Sequence, residues 1–434
     1  MLELFGYQQI CVDFIKNNSG LILYHSMGSG KTITSIMMAI QFPYDIIIVA
    51  TKASKKNFQD DLQKIIKSGI NVNLSKITII TYQKAISRIK DKQLDFNKKT
   101  VIIDEAHRLR NVSKLTSILI SECSNTEKLI LLTGTIFYNN LSDLSVLVNM
   151  IKKADILPET SKEFKFFYYD DTYSTPTNIE DFIKKISNTI SYYKKSPDSN
   201  YPTTNTIIKK VDMDNEQISE YRFYVKKILS LDNIQHIDYS IIDKRKVNNF
   251  LSVTRQLSNT TNNSSNSPKI QEIFNYIISN PKPAVVYSNF LNNGVLPLSA
   301  LFNKSNIKYG IYHGEQTEEK RNKIVDNYNS GLIDVLLITT AGSESLDLKN
   351  TRQIHIMELH WNESKINQII GRAVRYKSHN SLEPKDRTVT IVKWISVFGY
   401  KIPYETADEY LLKISEKKEL MFEQFNAVIK IASI

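Results

Sequence analysis

His25-Ser26-Met27-Gly28-Ser29-Gly30-Lys31-Thr32 stands between a short apolar run, LILY at 21–24, and a helical pattern at 33–40. A phosphate chain needs closely approaching backbone N–H groups, which glycines permit, with a helix N-terminus beneath them. In that reading Gly28, Ser29 and Gly30 form the cradle, Lys31 neutralises phosphate oxygens, and the Thr32 hydroxyl holds Mg2+. The strict pattern for such a loop has glycine where His25 stands, so the match is to its relaxed GSGKT form.

A second element of the same chemistry lies downstream. The apolar run at 100–103 ends in Asp104-Glu105-Ala106-His107. A carboxylate at a strand end can hold Mg2+, which makes Asp104 the expected metal ligand beside Thr32, and the adjacent Glu105 can orient and deprotonate an attacking water.

Similar short runs recur at 45–50, 77–81 and 128–133, and again at 284–288, 308–312, 334–340, 353–358 and 388–394, separated by helical patterns. That rhythm predicts an α/β protein whose parallel sheets are covered on both faces. Two lobes are expected, at 1–151 and 269–403. Between them lie a helical intermediate segment at 152–257 and a polar linker at 258–268, where SNTTNNSSNS favours a loop over a core. The chain ends in a helix over 404–434, expected to pack on the second lobe through Tyr410, Leu411, Ile414, Leu420, Met421, Phe425, Val428 and Ile429.

Length and charge bound the rest. A chain of 434 residues holds two or three domains, and 56 Lys and Arg against 45 Asp and Glu leave a net charge of +11. That excess favours a polyanionic partner. Cys11 and Cys123 cannot build a disulfide framework and stand outside any zinc-like spacing, so a reducing, intracellular setting is expected. The longest apolar runs, such as 46–50 and 335–338, fall far short of the ~20 residues a membrane span needs, and no membrane is expected as a partner. His355 and His360 lack a third metal ligand, and the aromatic run FKFFYY at 164–169 is read as a helical core or lid before a base-stacking surface.

DEAHRLRN at 104–111 and LLTGTIFYNNLSDL at 131–144 resemble motifs II and III of superfamily 2 ATPases, in their Snf2-like branch. Ile136 stands where that branch usually has proline. The resemblance implies that Thr133, Gly134 and Thr135 couple nucleotide state to lobe movement, and that Gln8, in a Tyr7-Gln8 pair like the branch's N-terminal element, reads adenine. The run 368–375, QIIGRAVR, is similar to motif VI: Gln368 would contact nucleotide, and Arg372 and Arg375, expected on one helical face, would reach a γ-phosphate held by the other lobe. The stretch 334–350 resembles motif V, which implies that Thr339, Thr340 and Gly342 face a nucleic-acid backbone and Asp347 the nucleotide. Lys52 and Thr81 occupy positions that grip phosphates in the family.

Within the branch, 355–379 and 406–418 look most like the ATPases of large cytoplasmic DNA viruses, the group of the poxvirus nucleoside triphosphatase and early transcription factor small subunit. The resemblance implies ATP hydrolysis with Mg2+ in a cleft between two RecA-like lobes, dependent on nucleic acid. The first expectation is a translocase on double-stranded DNA in viral-type transcription or genome handling, with RNA polymerase or related machinery as a further partner and host cytoplasm or virion as the location. A strand-separating DNA or RNA helicase and an ATP-switched subunit of a transcription complex are the alternatives. Oligomeric state is not legible.

Overall fold

The computed structural model describes residues 3–434 apart from 27, 111–112, 195–199, 233–236, 262–263, 265–266, 340–345, 361–362, 400–401 and 403. The chain divides into two units, the first Met1–Ser196 with Lys418–Ile434 and the second Pro197–Lys417. Each is built on a six-stranded sheet. Among the described residues no helix is long and apolar enough to cross a membrane.

Strands of uninterrupted branched residues, such as IIIVA at 46–50, can be stable only with both faces covered. The first unit satisfies this with β1 (Gly20–His25), β2 (Ile46–Ala50), β3 (Ile77–Thr81), β4 (Thr100–Ile103) and β5 (Lys128–Thr133). A two-residue hairpin, β6 (Tyr169–Asp170) and β7 (Thr175–Pro176), precedes β8 (Ile190–Tyr193). The order is β3-β2-β4-β5-β1-β8, and all neighbours are parallel. Side chains alternate between two cores: Ile22, Val49, Ile103 and Leu131 on one face, Leu23, Ile48, Ile102 and Leu132 on the other. Because the strands are parallel, the loop after β1, Asp104 after β4 and Thr133 at the end of β5 all emerge at one sheet edge, where open α/β sheets place their ligands.

The second unit repeats the plan with β9 (Thr203–Asp212), β10 (Ala284–Tyr287), β11 (Tyr309–Tyr312), β12 (Val335–Ile338), β13 (Gln353–Ile356) and β14 (Thr388–Val397), in the parallel order β11-β12-β10-β13-β14-β9. Its two cores again take alternate residues, Val286 and Leu337 on one side and Val285 and Leu336 on the other.

Four expectations change. The intermediate segment contains helices such as Ser161–Tyr168 and Asn215–Tyr224, but it also supplies β8 and β9, one edge strand to each sheet. The sequence TTNTIIKKVD of β9 is exposed at most positions and pairs on one side only, so no apolar run marks it. The polar linker is no solvent loop at its start: Ser258, Asn259, Thr260 and Thr261 are buried. Most of their polar groups find partners inside the unit, although Asn259 Oδ1 has none among the described residues. Gln217 Nε2 donates to Ser258 O at 3.3 Å, Ser396 Oγ to the same oxygen at 3.1 Å and Asn293 Nδ2 to Thr260 Oγ1 at 2.9 Å. The buried Lys269 ammonium donates to Ser258 Oγ at 2.9 Å and Asp408 Oδ2 at 3.0 Å, which lets a polar run fill an interior.

The C-terminal helix, Ala407–Ala432, packs on the second lobe only at its start, against the expectation that all of it does. Leu411 joins the core around Tyr221 and Phe250, whereas Met421, Phe425, Val428 and Ile429 belong to the first unit's core. A helix of this length runs about 39 Å, which lets it serve two cores in turn. Leu420 is exposed. Finally, the aromatic run 164–169 splits: Phe164, Tyr168 and Tyr169 are buried, Phe166 and Phe167 are exposed.

Candidate nucleotide site and second-unit motifs

The loop after β1 turns through Gly28 (φ 72°) and Gly30 (φ 78°), left-handed conformations that favour glycine, and delivers Lys31 to the first turn of the helix Lys31–Ala39. At Gly30 space is also decisive, since a Cβ there would lie 2.6 Å from Gln8 Nε2. Gln8 is buried against the loop, its Nε2 donating to Ser29 O at 3.2 Å while its Oε1 accepts from Phe5 N at 2.9 Å. The Tyr7 hydroxyl donates to the same Ser29 carbonyl at 2.6 Å, and the Tyr7 ring stacks on Tyr193 with centroids 3.6 Å apart. Thus the N-terminal helix Gly6–Asn17 clamps the loop from outside.

Two features of this loop fit a bound triphosphate. The Ser29 hydroxyl is buried with no hydrogen-bond partner among the described residues, a donor in waiting. Lys31 Nζ donates to the loop's own carbonyls, His25 O at 2.8 Å and Ser26 O at 3.0 Å. Burial lowers its pKa, while the Glu105 and Asp104 carboxylates act to raise it. His25, in the position of the usual glycine, points its ring away into the interior, where Nε2 meets Ser191 Oγ at 2.9 Å. Burial, and then the charge of Lys31, push its pKa down to about 3, so it is neutral.

Asp104 extends the end of β4, its N–H bonded to Val49 O at 2.9 Å. Burial and the neighbouring Glu105 push its carboxyl up to about 6, opposed by a hydrogen bond from Ser54 and by Lys31. Ser54 is seated by a reciprocal cap with Thr51 at the start of the helix Lys52–Lys67. The hydroxyl of the half-buried Tyr82 donates to Asp104 O at 2.5 Å. A divalent cation drawn to Thr32 and Asp104 would favour the ionised carboxylate that its present setting disfavours.

Glu105 has φ +50°, a strained backbone for a residue with a side chain. Its Oε2 lies 3.3 Å from His107 Nδ1, and the same nitrogen lies 3.3 Å from Thr133 Oγ1. Thr133 Oγ1 in turn donates to Thr135 O at 2.7 Å and accepts from Thr135 N at 3.1 Å. Glu105 is therefore connected through one imidazole to the TGT segment. Beyond it the Tyr138 ring lies between two groups, stacked with His107 at 5.7 Å and 5° and covered by the Arg110 guanidinium 3.7 Å from its centroid. Asp143 Oδ2 accepts the N–H groups of Tyr138, Asn139 and Asn140 at 2.8, 2.6 and 3.1 Å. Ile136, in place of proline, is fully buried. Lys52 is exposed at its helix start, and Thr81 stands immediately before the helix Tyr82–Lys90.

In the second unit Gln368 and Arg372 lie on the helix Ser364–Ala373, but Arg375 lies past its end. Val374 (φ −93°, ψ 78°) is not helical, so the two arginines do not share a helical face. The chain turns there because Ser378 Oγ accepts the N–H of Arg375 at 3.2 Å and donates to Ala373 O at 3.0 Å. Arg375 Nη1 pairs with Asp347 Oδ1 at 2.9 Å, both side chains partly exposed. Thr339 is buried just after β12, and Thr340 and Gly342 lie outside the described residues. The buried Glu358 accepts from Ser288 Oγ at 2.6 Å, Asn289 N at 2.9 Å and Asn259 Nδ2, tying 287–289 to the polar segment. His355 Nδ1 accepts from Trp394 Nε1 at 3.1 Å, and burial lowers its pKa to about 3.

Sequence reasoning misses Ser54, Tyr138, Asp143 and Glu358, and it reads Tyr82 only as part of the Thr81-Tyr82-Gln83 stretch that resembles a phosphate-gripping motif. Only Ser54 and Asp143 carry any signal, as residues of the kind that start helices; the others act through residues distant along the chain.

Two parallel-sheet units, one with a phosphate loop and a paired Asp-Glu at the strand ends and one with an arginine segment, define a two-lobe RecA-like ATPase of superfamily 2. The model of the SNF2-related domain matches residues 45–266, more than half of the chain, and that of the helicase conserved C-terminal domain matches 268–377. The chain belongs to the SNF2-related family. It is 45% identical to a putative ATP-dependent RNA helicase of Acanthamoeba polyphaga mimivirus, over 99% of this chain and 97% of that one. A termination factor NPH-I homolog of African swine fever virus is 24% identical over 96% of this chain and 76% of its own length. The helicase domain of Hef from Pyrococcus furiosus shares the fold, with a TM-score of 0.53, 14% identity, and coverage of 94% of this chain and 97% of that one. As a member of this family the chain is an ATP-hydrolysing enzyme that binds nucleic acid.

Proposed function

We propose that the chain is a translocase on double-stranded DNA whose ATP turnover is triggered by the DNA, acting in viral-type transcription or genome handling. The observation that carries this reading is the connection from Glu105 through His107 to Thr133 and Thr135, which links the water-activating carboxylate to a segment outside the phosphate loop. A base whose orientation depends on that segment can be switched by what the segment senses.

In this reading Gly28, Ser29 and Gly30 present N–H groups and the Ser29 hydroxyl to the phosphates, and Lys31 leaves the loop carbonyls for phosphate oxygens. Thr32 and Asp104 hold Mg2+, which would screen phosphate charge. Glu105 orients the attacking water and takes its proton. Gln8 reads adenine by exchanging its bond to Ser29 for the base, Gln368 and Asp347 contact the nucleotide, and Arg372 and Arg375 supply positive charge for the transition state. Lys52, Thr81, Thr339, Thr340 and Gly342 contact the nucleic-acid backbone, a sequence-independent grip that weakens with salt.

A second reading, a strand-separating RNA helicase, is favoured by the name of the mimivirus relative. The name of the African swine fever virus relative favours work beside a transcribing RNA polymerase, where ATP acts as an assembly switch, and a place in host cytoplasm or virion. Steady-state ATP hydrolysis with no nucleic acid, blunt duplex DNA, single-stranded DNA or RNA, with Glu105→Gln as the blank, separates these. Stimulation by duplex DNA is expected. Preference for RNA or a single strand selects the helicase, and a rate indifferent to all three selects the switch.

A further inference from the structure

The segment 155–186 of the first unit presents a surface that the nucleotide chemistry does not use. Phe166 and Tyr173 are 82% and 77% exposed and Phe167 48%, although Phe164, Tyr168 and Phe182 of the same segment are buried. The exposed rings are held in place. Phe166 and Phe167 meet edge to face at 5.3 Å on the helix Ser161–Tyr168, whose start is capped by the Thr160 hydroxyl. Asn178 Nδ2 donates to Phe167 O at 2.5 Å, and Asp170 Oδ1 accepts the N–H groups of Thr172 and Tyr173 at 2.7 and 3.2 Å, fixing the hairpin tip.

Beside Phe167 opens a cleft of about 540 Å³. Ile156, Leu157, Pro158 and Phe167 form its apolar wall, Asp155, Glu159 and Glu163 line it with three carboxylates, and the one cation in its lining among the described residues, Lys185, is bonded to Asp181 and the Tyr168 hydroxyl. Between 155 and 186 there are seven Asp and Glu against four Lys, in a chain whose net charge is +11. Two of those lysines are spent inside the segment, Lys165 on Asp171 at 3.0 Å and Lys185 on Asp181 at 2.8 Å. Asp155, Glu159 and Glu163 have no cationic partner among the described residues. A base-stacking surface sets cations beside its rings to hold the phosphates. Here the uncompensated charge is negative and repels them.

We propose that this face docks an extended segment of a partner protein that sets a lysine or arginine beside an apolar side chain, the apolar group entering the cleft and the cation meeting Asp155, Glu159 and Glu163. Exposed aromatic anchors beside a desolvating cleft supply the affinity, and the carboxylates supply the selection for a basic partner. Such docking is independent of the kind of nucleic acid the enzyme uses.

The test is selection of a randomised peptide display library on the full chain, with counter-selection on the Phe166→Ala/Phe167→Ala variant. The fluorescently labelled peptide recovered is then titrated by anisotropy against wild type, that variant and an Asp155→Lys/Glu159→Lys variant, with circular dichroism as the folding check. The recovered peptides are expected to share a basic residue next to an apolar one, and both variants to bind at least ~10-fold more weakly with ATP turnover unchanged. Peptides without a basic residue, or affinity indifferent to either variant, overturn the proposal. So does loss of affinity for a labelled single-stranded oligonucleotide in the Phe166→Ala/Phe167→Ala variant, which would assign the rings to base stacking.

Discussion

The two units carry their share of the ATPase machinery in opposite ways. In the first, the phosphate loop is locked before any ligand arrives: Tyr7 and Gln8 hold the Ser29 carbonyl, Lys31 is tied to His25 and Ser26, and Glu105 is tied to His107. In the second, Arg375 stands partly exposed beyond the end of its helix, held by one partly exposed carboxylate, Asp347. Preorganisation lowers the cost of binding, whereas a surface charge in a weak ion pair is easily redirected. The difference teaches that a substitution in the second unit should alter nucleotide turnover while leaving nucleotide binding nearly intact, whereas the first unit carries both.

The largest test is Arg375→Ala. If it supplies transition-state charge, kcat should fall by ~10^3-fold or more while the affinity for a fluorescent ATP analogue changes little. An equal loss in both would erase the contrast between the units. Glu105→Gln should lower kcat by ~10^2- to 10^4-fold with binding retained, read by single-turnover hydrolysis. Gly30→Ala should do the reverse, raising KM strongly, because the added Cβ meets Gln8 and the φ of 78° disfavours alanine. A normal KM would show that the clamp on the loop is dispensable.

Asp143→Ala sharpens the same picture within the first unit. Three backbone N–H groups lose their acceptor, so urea unfolding should show a loss of ~1–3 kcal/mol. Its effect on stimulated turnover should exceed that on basal turnover, since Tyr138 would slip from between His107 and Arg110.

A further test concerns pH, and each unit supplies one group. Burial depresses the pKa of His25 and of His355 to about 3, against 6.5 for an ordinary histidine. Below 6.5 the unfolded chain binds protons that the folded chain does not, so stability falls as pH drops from 6.5 towards 3. Thermal melts of His25→Gln and His355→Gln across that window should each show a shallower slope than wild type.

Legibility depends on where the information sits along the chain. GSGKT, DEAH and QIIGRAVR are contiguous, and each carries its chemistry in adjacent residues, so both sheets and the candidate ligands at their edges can be read directly. Ser54 beside Asp104, Tyr138 between His107 and Arg110, and Glu358 beneath 287–289 depend on tertiary contact, and no local spacing announces them. Edge strands β8 and β9 escape because a strand with one neighbour needs no apolar run. Polarity misleads at 258–261, where Ser, Asn and Thr are interior because partners for their hydrogen bonds are also interior. The helical face expected for Arg372 and Arg375 fails for a local reason, the turn made by Ser378.

The helix Ala407–Ala432 belongs to one unit at its start and to the other at its end, so the chain passes between the units twice, near 196 and again near 417. A protease that cuts at the first passage leaves two pieces held together without a covalent link, by the packing of Met421, Phe425, Val428 and Ile429 from the second piece in the core of the first. A gene fragment stopping at 196 fares worse: it yields a first unit without Met421, Phe425, Val428 and Ile429, with the rings of Phe137, Phe164 and Phe182 uncovered. Such a fragment should aggregate unless residues 418–434 are restored in trans as a peptide.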